Sequence, residues 1–326
     1  MEHHESAGPG TRRRPRSAPA PESRPRPDRA VRPAFPLSPG PARIEVRAAE
    51  PPEHVFRRLL GAYLGGAPEF LVHEAPSLRT TTRGIVRTFA RRTRQPEIVS
   101  DDGDEILLRD LAFDSPVPLE RRLEQMGQHV IRFHEEAVAS WTVLPLGEDD
   151  SWEHRDDEID REAWYLERKA RLRLGQAPPS LELWVVARSL ERIADHAVIL
   201  GEAGRRLAGL PHGRGPLTIL GQFHAQAMEH LAGVLATRDE SGANELLDTG
   251  EALLASGRAI SDRLLPAGPG VGLSPAAAAA VARILESIQR TVAYGQDVAQ
   301  VVLDRSLASV DLPAPLSAAP GPLPAP

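Results

Sequence analysis

Four carboxylates at helical spacing raise the first chemical question. Asp156 and Asp160 stand four apart in EHRDDEID, and Glu191 and Asp195 stand four apart in ARSLERIADHAV. Residues four apart on a helix share a face, one turn above the other. Two carboxylates so placed repel each other weakly on an exposed helix, and more strongly where the face is covered. Solvent, basic neighbours or a cation must compensate. If the two segments are neighbouring antiparallel helices, Asp156, Asp160, Glu191 and Asp195 come together. Such an all-oxygen cluster suits hard or borderline cations: iron, manganese, magnesium, calcium, or zinc with help from a histidine. The alternative is ordinary charge pairing, because Arg155, Arg161, Arg188 and Arg192 are interleaved with the acids. Glu202 follows Asp195 at seven and falls on roughly the same face.

Other chemistries have no residues to carry them. No Glu-x-x-His occurs in the chain, which argues against an oxygen-activating di-iron bundle enzyme. There is no Gly-rich phosphate loop of the P-loop kind and no GxSxG. His154 and His196 lie beside the acids, and His129, His134, His224 and His230 lie on helices as satisfied or exposed side chains. Cys is absent, which removes thiolate sites and fits a reducing compartment. The net charge of −6 argues against a globally nucleic-acid-binding surface. No apolar run is long enough to span a bilayer, and residues 1–42 lack the apolar segment of a signal peptide.

The acids need elements to position them, and the hydrophobic period supplies these. Aromatics are only 4% of the chain, so its cores must be built mainly from Leu, Val, Ile and Ala, as suits helix packing. The expected fold is mainly α: two three-helix bundles, preceded by a small α/β domain and a disordered Pro/Arg-rich N-terminal tail. The tail spans 1–42 and includes the basic run Arg12 to Arg16. Over 43–112 the pattern gives strands at 43–47 and 70–73, helices at 53–65 and 78–92, and a hairpin of 97–100 with 105–108 around Gly103. Leu119, Leu123, Met126, Val130, Phe133 and Ala137 form a heptad seam on a helix at 118–141. Trp152, Ile159, Ala163, Leu166 and Ala170 stripe the second helix. Ala187, Leu190, Ala194, Ala197 and Gly201 stripe the third, at 180–207. Breaks at Gly209, Pro211, Gly213 and Pro216 separate the first bundle (115–210) from the second (214–310). The second holds helices at 217–237, 240–265 and 275–306, and 311–326 is a Pro/Ala-rich disordered tail.

The two bundles read as a degenerate repeat. With Leu190 set over Ile288, apolar and small positions correspond, whereas Glu191 falls on Gln289, Asp195 on Ala293 and Glu202 on Gln300. Only the first copy keeps the acidic face, so a cation site, if the acids form one, belongs to the first bundle and not to the second.

At ARSLERIADHAV the chain resembles the PhoU family of phosphate-uptake regulators, whose helices carry an ARxLERIxDHxxNIAE stretch. Ala187-Arg188, Leu190 to Ile193, Asp195-His196 and Glu202 match it, and His154 to Asp160 match the family's ERDDEID motif apart from its first residue. Residues 57–66 and Glu105 to Leu111 resemble the archaeal-type members. Ile199 and Leu200-Gly201 depart from the usual Asn-Ile-Ala. The resemblance implies a cytoplasmic, metal-binding adaptor and not a catalyst. It implies negative regulation of the phosphate ABC transporter through its ATPase subunit, or signalling through a sensor histidine kinase, with a homodimer compatible with either. It also implies a multinuclear iron or zinc cluster, with magnesium or manganese as alternatives, held by Asp156, Asp160, Glu191 and Asp195. The alternative function is a DNA-binding transcriptional regulator with a PhoU-like sensor domain, motivated by the Arg-rich tail. Archaeal-type relatives often begin with a swapped-hairpin DNA-binding domain, and the prolines of 1–42 would break its strand ladders.

Overall fold

The computed structural model describes residues 40–111, 117–142, 152–173, 180–265 and 273–308. The Arg-rich run and the C-terminal Pro/Ala-rich tail lie outside the described residues.

The N-terminal region alternates strand and helix: β1 (Ala42–Glu45), α1 (Pro52–Leu64), β2 (Glu69–His73), α2 (Thr80–Arg92), β3 (Pro96–Asp101) and β4 (Glu105–Asp110). Pro52 starts α1, where its missing N–H is not needed, and the chain leaves through Gly66 at φ 89°. Gly103, at φ 78°, turns the β3–β4 hairpin. The sheet order is β1-β2-β4-β3, with β1 parallel to β2 and the other pairings antiparallel. Phe70 pairs with Leu108 and Val72 with Ile106, and all four are fully buried. They meet α1 and α2 through Leu59, Tyr63, Val86 and Phe89, and the Phe89 ring stands edge-on to Phe56, Tyr63 and Phe70. Trp164, from the helical region, completes this core.

Among the described residues six further helices follow: α3 (Leu119–Ala139), α4 (Trp152–Arg173), α5 (Ser180–Ala208), α6 (Arg214–Ala236), α7 (Glu240–Leu264) and α8 (Pro275–Ala308). Local chemistry sets two of the starts. The Asp239 carboxylate accepts from the Gly242 N–H at 2.9 Å to cap α7, and Ser274 Oγ accepts from the Ala277 N–H at 3.2 Å just before α8. The apolar stripes of α3, α4 and α5 enter one continuous core with those of α6 and α8. α5 is central: it packs against α3, α4, α6 and α8, with α8 as its largest partner. Trp141 closes one end of this core by donating its indole N–H to the Leu200 carbonyl at 2.9 Å. A β-carbon at Gly204 would collide with that indole, so glycine lets α3 and α5 approach.

α4 is the shared wall of the chain. Residues 163–168 are all buried, because the α/β domain covers one side and α3 and α5 cover the other. Arg168 is 1% exposed and spans the junction. It donates to the carbonyls of Tyr63 and Ala67, pairs with Asp110, and lies 4.7 Å from the Tyr63 ring centroid. Among the described residues no helix is long and apolar enough to cross a membrane.

Candidate metal centre

α4 and α5 pack side by side, and their acidic i, i+4 pairs meet along the seam. Carboxylate oxygens of Asp160, Glu191 and Asp195 lie within 4.8 Å of one another. Asp156 stands outside that triplet, though near enough for the Asp195 charge to act on it. Asp160 is 9% exposed, Glu191 is half-buried and Asp195 stands at the open rim. Glu202, expected on roughly the same face, lies elsewhere: it lines a groove with Trp141, Arg205 and Arg214. Seven residues carry it about 10 Å along the helix axis from Asp195, beyond reach of the acidic triplet.

Crowding carboxylates in a partly covered seam disfavours their ionised forms. Burial pushes Asp156 up to about 6, with the charges of Asp195 and Asp157 adding to it. Burial pushes Asp160 up to about 7, reinforced by Asp156 and Glu191. Burial likewise pushes Glu191 up to about 7 against the opposing pull of Arg188. Asp195 is raised by partial burial, with Arg188 and Arg192 opposing.

Arginines compensate only in part. Arg188 Nη1 stands 3.5 Å from Glu191 Oε1 and 3.5 Å from Glu167 Oε1. Arg192 instead stacks 5.6 Å from the Tyr294 ring centroid, and Arg155 pairs with Glu136. The strongest basic contact comes from outside the bundle. Arg92 of α2 donates through Nη2 to Asp160 Oδ2 at 3.0 Å and also pairs with Asp157. No spacing rule links residues 92 and 160, so the sequence held no signal for this pair. Glu167 is a second unforeseen member: 3% exposed, raised by burial, it accepts from the Trp184 indole N–H at 3.2 Å. Its offset of seven from Asp160 was the available signal.

One atom bears directly on whether a cation fits. Glu191 Oε2 is buried and accepts no hydrogen bond. A buried carboxylate oxygen without a partner is costly, and a cation between Asp160, Glu191 and Asp195 would satisfy it. The donor set is all oxygen, which suits hard and borderline cations. His196 does not join it: its Nδ1 lies 3.3 Å from Ser287 Oγ and its ring stacks on Tyr294 of α8.

A family model described as the PhoU domain matches residues 123–203. Over that span the chain is similar to the PhoU domain. The matched span runs from the second turn of α3 to near the end of α5, and it contains Asp156, Asp160, Glu191 and Asp195. The geometry of the site is therefore internal to the matched span, while Arg92 reaches it from the α/β domain. No curated protein matches the chain.

Beyond the matched span, the seam between α7 and α8 is built differently. Gly250 lies against the Gln296 side chain and Gly257 against Gln289 and the Phe223 ring, so a β-carbon at either glycine would have to displace a neighbouring side chain. Gln296 donates to the Leu247 carbonyl at 3.3 Å. Amides and glycines close this seam where the matched span holds carboxylates.

Proposed function

We propose that the protein is a cation-binding regulator of phosphate uptake, a helical adaptor acting in the cytoplasm and not a catalyst. The observation that carries this reading is the three-carboxylate seam of Asp160, Glu191 and Asp195 inside the span that matches the PhoU domain, together with the buried, unpartnered Glu191 Oε2. Those three side chains would hold the cation, and Asp156 extends the set if more than one ion binds. Iron or zinc is the proposed metal, with magnesium and manganese as alternatives. A bound divalent ion supplies the positive charge that lets four carboxylates remain ionised side by side at neutral pH. The seam then becomes a rigid edge, so that cation loading controls the surface offered to a partner. That partner is proposed to be the ATPase subunit of the phosphate ABC transporter or a sensor histidine kinase, and its engagement lowers uptake.

Phosphate uptake measured in phosphate-replete cells tests the proposal. Cells lacking the gene should take up more phosphate, the wild-type gene should restore the restraint, and the combined variant Asp160→Asn, Glu191→Gln, Asp195→Asn should not. Elemental analysis of untagged protein should find a divalent metal in the wild type and none in that variant. Equal uptake in all three strains would sink the regulatory reading, and equal metal content in both proteins would sink the cation site.

A further inference from the structure

We propose that Arg92 is a tethered counter-ion of the α4–α5 seam. Its guanidinium and a metal ion take Asp160 in turn, so that cation binding at the seam is coupled to the α/β domain. This rests on the reading of the seam as a cation site.

Arg92 closes the last turn of α2, a helix anchored in the α/β core through Val86 and Phe89. From there it crosses to α4, where Nη2 donates to Asp160 Oδ2 at 3.0 Å and the guanidinium also pairs with Asp157. Asp160 is one of the three carboxylates whose oxygens converge within 4.8 Å. A divalent ion drawn into that triplet must share Asp160 with a guanidinium already in contact with it. The guanidinium and the ion are like charges held across one carboxylate, so they repel and the weaker contact gives way as the ion binds.

The weaker contact is built to yield. Arg92 Nε is buried and makes no hydrogen bond, so the guanidinium is incompletely satisfied where it stands. Its carbon lies 5.5 Å from the Trp164 ring centroid and 5.8 Å from that of Phe56. Those rings and the more exposed Asp157 keep the side chain in place when Asp160 is withdrawn. The exchange is therefore a shift of one guanidinium from a carboxylate pair onto Asp157, without undocking of the domain. Its mechanical consequence falls on the end of α2. Linkage makes the effect reciprocal: whatever holds Arg92 on Asp160 weakens the cation, and the cation weakens that hold by the same factor.

Zinc or manganese titrated calorimetrically into the metal-stripped full chain tests this. Arg92→Gln should bind the ion about tenfold more tightly than wild type, within the usual range for coupled sites. Arg92→Lys, which keeps the charge, should stay near wild type. Arg87→Gln, which removes a neighbouring α2 guanidinium paired with Asp101, should also match wild type. Amide exchange over residues 89–93 should speed up in wild type when the ion is added, and should not change in Arg92→Gln. Equal affinities for wild type and Arg92→Gln overturn the coupling and leave the cation site standing. Tighter binding by Arg92→Lys as well would assign the effect to packing and overturn the counter-ion role. No binding by any variant removes the cation site itself, and the coupling with it.

Discussion

His134 of α3 and His224 of α6 stack inside the protein, with ring centroids 5.5 Å apart and His134 Nδ1 3.2 Å from His224 Nε2. His134 Nε2 lies 2.7 Å from the Ile193 carbonyl of α5. A carbonyl only accepts, so the geometry assigns the His134 proton to Nε2, and His224 donates to its bare Nδ1. The chain of contacts runs from α6 through α3 to α5. Burial pushes His134 down to about 4 and His224 down to about 3. Both are neutral in the fold, whereas the unfolded chain takes up protons near pH 6.5. The pair's contribution is thus present above that value and is lost as pH falls toward 4. His134→Leu strands the Ile193 carbonyl and the His224 N–H, at a cost of roughly 2–4 kcal/mol. Urea denaturation at pH 7.5 and pH 5 should show that cost, and a smaller loss of stability on acidification than in wild type.

Glu191→Gln should act in the opposite pH sense. Glu191 shares its seam with Asp156, Asp160 and Glu167 of α4 and with Asp195, Arg188 and Arg192 of α5, and Arg92 of α2 reaches the same seam. Its carboxyl is raised to about 7, so the folded state holds a proton that the unfolded chain releases near 4.5. Stability from this group is full below that lower value and falls as pH rises through 7. Without metal, the variant should be more stable than wild type at pH 7.5 by roughly 1 kcal/mol. Each tenfold difference in proton affinity between the folded and unfolded chain is worth about 1.4 kcal/mol, and solvent screening together with the lost pairing to Arg188 offsets much of it. The gain should vanish by pH 4.5. Thermal melts in a chelating buffer across that range measure it.

The helices were legible because their signal is local. The heptad seam of α3 and the stripes of α4 and α5 are read within a few turns, and their members lie in the core save Leu123, which packs against it, and Gly201. The i, i+4 acids likewise follow from period alone, which brought Asp160, Glu191 and Asp195 to one place. What could not be read is every contact that joins distant segments across α4. Trp164 is buried in the α/β core, Arg168 is buried at the junction, and Arg92 pairs with Asp160. On a helical wheel Trp164 and Arg168 sit away from the Trp152–Ile159–Ala163 stripe and look exposed. Only the sheet and helices α1 and α2 packed on that side make them interior.

Arg168→Met should test how much the α/β domain depends on one guanidinium. Asp110 is left buried beside two carbonyls, those of Tyr63 and Ala67, that lose their donor. Removing one member of a buried pair costs about 3–5 kcal/mol, far more than the pair itself contributes. Denaturant unfolding followed by circular dichroism should show the loss. Asp110→Asn with Arg168→Met should recover part of it, because the stranded charge is gone.

Glycine-to-alanine changes should have opposite signs in two helices, for reasons that bear on the cation site. Helix propensity alone favours alanine by up to about 1 kcal/mol. At Gly84 of α2 an added β-carbon meets open space, so Gly84→Ala should stabilise by roughly that amount. At Gly257 of α7 the same carbon meets Gln289 Nε2 at 2.6 Å and the Phe223 ring at 3.0 Å. Gln289 ends in a flexible amide and can give way, but Phe223 is 1% exposed and cannot. Gly257→Ala should therefore destabilise, by roughly 1–3 kcal/mol as overpacked cores do. Gln289 is the counterpart of Glu191 under the 98-residue repeat, so this clash measures how tightly the second seam is shut. A stabilised Gly257→Ala in thermal melts would mean that the α7–α8 seam has room to spare. The contrast between a closed amide seam and an open carboxylate one would then fail.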